Sequence, residues 1–351
     1  MPADTSLPTN DSRLDALRQW LATLPAHLEI SPDSLTPASA DASFRRYFRL
    51  KARLPNGQCS AIAMDAPPPQ EDCRPFVHVA RVFAEAGVSV PHIHAADVEQ
   101  GFLLLDDLGN QTYLKHLEDT RTAPALYRDA SVALVKLQAA SKPGVFPAYD
   151  RELLLRELML YPTWYVGRHK QITLTEAEQR LLHDGFELLL SNLLAQPAVY
   201  VHRDYHSRNL MVLADAARTP GVLDFQDAVY GPITYDLVSL LRDAYIHWEE
   251  ADQLDWCIRH WERARAAGLP VAGDFGDFYR DFEWMGLQRH LKVLGIFARL
   301  HHRDGKDAYL DDIPLVARYA YGVLNRYQEF GPLRKLFERI EGVDATHGYT
   351  F

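Results

Sequence analysis

The sequence predicts an α+β fold of two lobes, a small strand-rich amino-terminal lobe followed by a larger, mainly helical one. Three observations carry this. Between Ser43 and Leu105 most apolar residues fall into short runs broken by turn residues. Beyond Gly109 they recur at helical spacing over long segments. That helical stretch is interrupted at residues 198–245, where one apolar strand leads into Asp204 and a second ends on Asp224. The division is expected between residues 106 and 107.

In chain order, residues 11–24 place Leu14, Leu17, Leu21 and Leu24 on one stripe, with Asp11 or Ser12 as N-cap, which predicts a packing helix. FRRYFRLKARL and CSAIAM flank Pro55-Asn56-Gly57, where Gly57 supplies the positive φ of a hairpin. Residues 74–87 form a second helix, with Pro75 in its first turn and Gly87 closing it. Gly101 to Leu105 is a buried strand that stops at the turn Asp106-Asp107-Leu108-Gly109. Helices follow at 125–140, 151–160, 175–196, 251–266, 275–302 and 312–328. Thr175 and Glu178 stand at capping-box spacing at the start of the third.

The interruption at 198–245 carries the chemistry. The strand Val199 to Val201 leads into His202-Arg203-Asp204, Asn209 stands five residues beyond that aspartate, and Val222-Leu223 ends on Asp224-Phe225-Gln226. This spacing matches the kinase catalytic loop H-R-D-x-x-x-x-N and the D-F-G strand end, with Gln226 in place of glycine. The fold expected is therefore protein-kinase-like. Phosphoryl transfer needs an in-line acceptor hydroxyl and neutralisation of charge on the phosphate oxygens. Asp204 is the candidate base for the acceptor's proton, and Asn209 and Asp224 are oxygen ligands of the kind Mg2+ prefers. The plainer alternative is that both aspartates cap turns. ATP is the expected phosphoryl donor. Backbone groups at Leu105, Asp106 and Leu108 are placed to meet its adenine, as a kinase hinge does. The glycine-free loop from Ala40 to Arg46 offers the Ser43 N–H and the charges of Arg45 and Arg46 to its phosphates, unless both arginines are a solvated strand edge. One departure is plain: Met64 occupies the strand end where a kinase carries its phosphate-binding lysine, so Arg45, Arg46 or Arg81 is left to supply that charge. Glu85, without that lysine, reads as a surface charge.

Composition narrows the partners. The chain has 351 residues, with 47 acidic against 37 Lys and Arg and a formal net charge of -10, which argues against a nucleic-acid footprint. Three cysteines, Cys59, Cys73 and Cys257, make neither a disulfide framework nor a metal pair. No apolar run reaches membrane-spanning length, and Met1 to Asn10 lacks the order of a signal peptide. The expectation is a cytoplasmic protein, monomeric, acting on a small molecule.

HRDYHSRNLM, VLDFQDAVYGPITYDLVSLLRDAY and the lysine-free AMDAPP resemble the aminoglycoside phosphotransferase family of kinase-like enzymes, and within it the bacterial anomeric kinases of N-acetylmuramate and N-acetylglucosamine that serve cell-wall recycling. The resemblance runs from about Ser43 to about Tyr327. It implies Asp204 as base, Asn209 and Asp224 as Mg2+ ligands, and Asp236 as a buried carboxylate holding the catalytic loop through its backbone or His202. Asp227 is a possible sugar contact or an ordinary turn residue. Trp164, Tyr165 and Tyr161 offer either an aromatic face for a pyranose or helix-packing core. Arg242, Arg289, His290 and Arg299 are candidates for the lactyl carboxylate of N-acetylmuramate, although Arg289 to Arg299 spans too many turns for all to reach one anion. Rival readings are a phosphotransferase for an aminoglycoside or choline, for which Asp311 and Asp312 supply acidic residues, and a nucleotide-binding pseudokinase.

Overall fold

Asp11 starts the first helix. The structure, a computed structural model, describes residues 11–40 and 44–343. The Asp11 carboxylate accepts from the backbone N–H groups of Arg13 (3.1 Å) and Leu14 (3.0 Å), and α1 (Ser12–Ala22) follows. Its stripe of Leu14, Leu17, Trp20 and Leu21 is buried in one core with residues of a five-stranded sheet. That sheet comprises β1 (Ser31–Ala40), β2 (Arg46–Lys51), β3 (Ser60–Asp65), β4 (Ile93–Asp97) and β5 (Phe102–Asp106), in spatial order β1-β2-β3-β5-β4 and antiparallel throughout. The hairpin between β2 and β3 turns at Gly57, whose φ is +86°, with its N–H donated to Leu54 O.

The two edge strands, β1 and β4, are the ones sequence patterning does not single out. β1 contains Pro32 and Pro37, and its register against β2 slips in two places. An edge strand tolerates this, because one row of its backbone groups needs no partner. β5 is buried along its whole length between β3 and β4. Gly101 precedes it at φ +73°, where a Cβ would stand 1.9 Å from Ala66 O. α2 (Arg74–Glu85) sends Phe76 and Phe83 onto the ring of Phe225, at centroid distances of 4.7 and 5.8 Å.

The described residues fall into two compact units, 11–111 with 211–227, and 112–210 with 228–343. The return of residues 211–227 to the first unit is secured by Val212 N–H to Gln111 O (2.8 Å) and Val222 N–H to Ser89 O (2.7 Å). Asp224 therefore belongs to the sheet-containing unit.

The second unit is helical: α3 (Tyr113–His116), α4 (Ala123–Ala139), α5 (Arg151–Leu158), a π-helical stretch Tyr161–His169, and α6 (Glu176–Ala195) behind its Thr175/Glu178 capping box. β6 (Ala198–Val201) leads to the catalytic loop; short β7 (Leu210–Met211) pairs with β8 (Gly221–Val222), and β9 (Val229–Pro232) pairs antiparallel with β6. Then come α7 (Tyr235–Leu241), α8 (Glu250–Ala266), α9 (Phe275–Asp304), α10 (Ile313–Arg326) and α11 (Gly331–Glu341). The six long helices expected from periodicity lie within two residues of their predicted ends. α7 is invisible to that method because all seven of its residues are buried, leaving no polar face to mark a period. The 30-residue α9 packs on the π-helical stretch, α10, α7 and α6. Gly295 permits the closest of these approaches, since a Cβ there would stand 2.4 Å from the Leu160 carbonyl carbon. No described helix is long and apolar enough to cross a membrane.

Candidate active site

In the second unit, β6 hands the chain to a loop held from beneath by α7. Asp236, fully buried in the first turn of α7, accepts the backbone N–H groups of His202 (2.6 Å) and Arg203 (3.0 Å), one on each carboxylate oxygen. Burial pushes its carboxyl up to about 7, opposed by those two donors. Arg203 takes the left-handed backbone conformation, φ +78°, which a non-glycine residue adopts only when its surroundings impose it. The residue it aims is Asp204, whose N–H donates to His202 Nδ1 (3.2 Å). Asn209 closes the loop by donating its side-chain N–H to Asp204 O (3.0 Å), which turns the amide nitrogen toward the loop. Asp243 braces the middle of the loop, accepting the backbone N–H of Ser207 (2.9 Å).

A buried charge cluster surrounds this loop. The Glu157 carboxylate accepts from Lys292 Nζ (2.8 Å), from the Arg203 guanidinium and from the Tyr149 hydroxyl, and Lys292 also donates to the Tyr235 hydroxyl (2.9 Å). Burial drives the Asp204 carboxyl upward, but the positive charges nearby, Lys292 foremost and then His206, Arg289 and Arg203, outweigh it and hold Asp204 at about 2. Asp204 is thus a carboxylate at any physiological pH. Glu157 and Lys292 were missed by motif reading. Their signal was present as charged residues inside mostly apolar helical segments, LLLRELML and HLKVLGIF.

In the first unit, Asp224 has φ +60°, and its Oδ1 accepts from Gln226 Nε2 (2.8 Å) with the Arg45 guanidinium 3.7 Å away. Phe225, buried between the α2 rings, anchors this turn. Several nucleotide expectations need correction. Arg46 is engaged by Asp65 (2.6 Å) and Asp11, and Arg13 reaches the same buried Asp65 (2.7 Å), so the Arg46 charge is matched within the fold. Leu105 and Asp106 lie inside a strand paired on both sides, the Asp106 N–H donates to His92 O (2.9 Å), and the Asp106 carboxylate accepts from Asn56 (2.8 Å) and bonds His94 (2.8 Å). Neither is open to adenine; Leu108 lies past the strand end, half-buried. Arg81 faces outward on α2 beside Glu85 (3.7 Å). Met64 is fully buried and Asp227 exposed, while Ser43 lies outside the described residues.

Among the proposed sugar contacts in the second unit, three are corrected. Tyr165 is fully buried, stacks on Tyr161 (5.5 Å) and donates its hydroxyl to Glu341 (3.2 Å), so it is packing core; Trp164 beside it is half-buried. Arg242 is buried and paired with Glu283 (2.8 Å). His290 is buried against Tyr319, its Nε2 bonded to Arg242 O (3.2 Å), and burial lowers its imidazole to about 3. These positions looked polar in sequence because their partners are distant along the chain. Arg289, one residue before His290, is also buried, with its guanidinium 5.7 Å from the Tyr235 ring centre.

Comparison with known proteins agrees with this arrangement. The model of the phosphotransferase enzyme family matches residues 34–271. An N-acetylmuramate/N-acetylglucosamine kinase of Neisseria meningitidis is 50% identical over 339 residues, 95% of this chain and 98% of that one. One of the same name from Pseudomonas putida is 47% identical over 342 residues, covering 95% and 98%. Among solved structures, a choline/ethanolamine kinase family protein from Mesorhizobium loti superposes with a TM-score of 0.59 at 16% identity, covering 93% of this chain and 99% of that one. ADP-bound aminoglycoside phosphotransferase APH(2'')-Ib gives a TM-score of 0.53 at 14% identity, covering 92% and 99%. The fold is protein-kinase-like, with a five-stranded sheet in one unit and a mainly helical second unit. By its sequence over most of its length and by the loop built around Asp204, the chain belongs to the phosphotransferase enzyme family.

Proposed function

We propose that this phosphotransferase moves the γ-phosphoryl group of ATP to the anomeric hydroxyl of N-acetylmuramate and N-acetylglucosamine, a step in the recycling of cell-wall sugars. The observation that carries the reading is the 50% identity, along nearly the full length of both chains, to a relative named for those two sugars. The chemistry suits the loop. An anomeric hydroxyl is more acidic than an ordinary alcohol because the ring oxygen withdraws charge, so a carboxylate held ionised, as Asp204 is, accepts its proton as the phosphoryl group arrives. Asp236 and Glu157 position that carboxylate, through the Arg203 backbone and side chain respectively.

Asn209 and Asp224 are the Mg2+ ligands of this reading. The donor set fits: an amide oxygen and a half-exposed carboxylate are hard ligands, and Mg2+ commonly takes one or two protein groups and completes its shell with phosphate oxygens and water. When bound, the ion supplies charge neutralisation on the phosphate oxygens. Arg45, beside Asp224, is the basic residue assigned to the phosphates in place of the strand lysine, with Ser43 as a backbone donor and Leu108 near adenine. The acidic net charge and three unpaired cysteines support a cytoplasmic enzyme, which we take to be a monomer. The test is phosphorus NMR of a reaction containing Mg-ATP and either sugar. Appearance of the sugar 1-phosphate is expected, and turnover of neither sugar rejects the reading.

A further inference from the structure

The second unit buries three basic side chains, Arg242, Arg289 and Lys292, at 6%, 4% and 5% exposure. Arg242 has Glu283 at 2.8 Å and Lys292 has Glu157 at 2.8 Å. Arg289 has no carboxylate within 4.0 Å among the described residues. A guanidinium taken out of water without an anion is costly, so a fold that keeps one there has a use for it. The acids nearest in effect are already occupied or reserved. Asp243 accepts from Ser207 and from the Tyr245 N–H (3.2 Å), and Asp204 is the proposed base. Burial works against the Arg289 charge, and Tyr235, Asp204 and Asp243 favour it, so the guanidinium and the base act on one another without being paired.

Its place on α9 fits this. Arg289 and Lys292 are three residues apart and share a helix face, and both act on Asp204. Lys292 and Arg203 share Glu157, whereas Arg289 has no carboxylate in contact among the described residues and is the one placed to take an anion that arrives. Resting on the proposed function, we infer that Arg289 is the residue that recognises the lactyl carboxylate of N-acetylmuramate and so sets the preference between the two sugars. The sugars differ in just that group. The lactyl ether stands on C3, two ring bonds from the anomeric carbon. Its carboxylate therefore lies near, but not on, the hydroxyl that faces Asp204, which suits a guanidinium 5.7 Å from the Tyr235 ring centre, since Tyr235 is bonded through Lys292 to the Glu157 that holds Arg203. A guanidinium can meet a carboxylate with two parallel N–H donors, which a lysine cannot.

The test compares kcat/KM for the two sugars in the wild type, Arg289→Gln and Arg289→Lys, and on wild type adds N-acetylmuramate methyl ester, which keeps the shape and loses the charge. In Arg289→Gln the ratio of N-acetylmuramate to N-acetylglucosamine is expected to fall about 30-fold, mostly through KM, as loss of a charged contact in a dry site predicts. Arg289→Lys gives an intermediate ratio, and the ester loses the same preference on unaltered protein. An equal loss for both sugars would assign Arg289 to chemistry common to both, at Asp204 or the transferring phosphoryl group, and overturn the inference, as would an ester used as well as the acid. Should Arg289→Gln fail to give a folded thermal transition, the lysine variant and the ester still decide. Wild type inert toward both sugars removes the proposed function and this inference with it. Wild type active toward both, with a ratio unmoved by Arg289→Gln, removes this inference alone.

Discussion

At the scale of the residue, Asp204 and Asp224 show how one side-chain type is given two tasks by its neighbours. Asp204 sits in the electrostatic field of Lys292, Arg289 and Arg203 and stays ionised, the state a proton acceptor needs. Asp204→Asn preserves the shape and removes the acceptor, so kcat is expected to fall about 10²- to 10⁴-fold with little change in the KM for ATP, checked by steady-state kinetics. Asp224 is instead oriented by Gln226, whose amide fills the position a kinase gives to glycine. Removing that amide in Gln226→Ala lets the carboxylate swing, and the Mg2+ concentration for half-maximal activity is expected to rise about tenfold, read from a Mg2+ titration of rate. The two aspartates and Asn209 were legible in the sequence, since loop spacing is set by covalent geometry, and Asp236 was legible through the family resemblance. Arg46, Arg242 and His290 were legible as polar residues but not as paired ones. Their partners Asp65, Glu283 and the Arg242 carbonyl are 19, 41 and 48 residues away.

At the scale of the element, the catalytic loop depends on helices that carry no motif. α5 supplies Glu157 and α9 supplies Lys292, and both meet the Arg203 end of the loop. Glu157→Ala leaves Lys292 and the Arg203 guanidinium buried without their anion, and a loss of about 3–5 kcal/mol is expected from urea unfolding. Glu157→Gln, which keeps the shape and one acceptor oxygen but loses the charge, should cost less. α1 does comparable work in the first unit, where Leu17 is fully buried in the sheet core. Leu17→Ala is expected to cost about 2–5 kcal/mol by the same measurement. Amphipathic helices such as α6, α9 and α10 were readable because one face meets water. Edge strand β1 and buried helix α7 were not, because their patterns reflect which neighbours lie beside them.

At the scale of the whole molecule, buried histidines make stability depend on acid. Burial lowers His260 and His290 to about 3, so both are neutral when folded, whereas an unfolded chain takes up those protons near pH 6.5. The folded state therefore keeps the whole of these two histidines' contribution above about pH 6.5. It loses up to about 1.4 kcal/mol per pH unit for each histidine as pH falls toward 3. Because Asp236, held up at about 7, gains stability on acidification and offsets part of that slope, urea midpoints measured from pH 8 to pH 4 should decline by less than the two histidines alone would give, and a combined His260→Gln, His290→Gln variant should decline less still. The sequence alone determined the fold class, the long helices, and which residues are proposed as the base and its companion oxygen donors, because periodicity and loop spacing are local properties written in consecutive residues. Tertiary structure alone decided that residues 211–227 join the sheet-containing unit, that Glu157 and Lys292 hold the loop, and that the buried Arg289 has no carboxylate in contact among the described residues. Burial and pairing are set by residues far apart in the chain, and no local pattern records them.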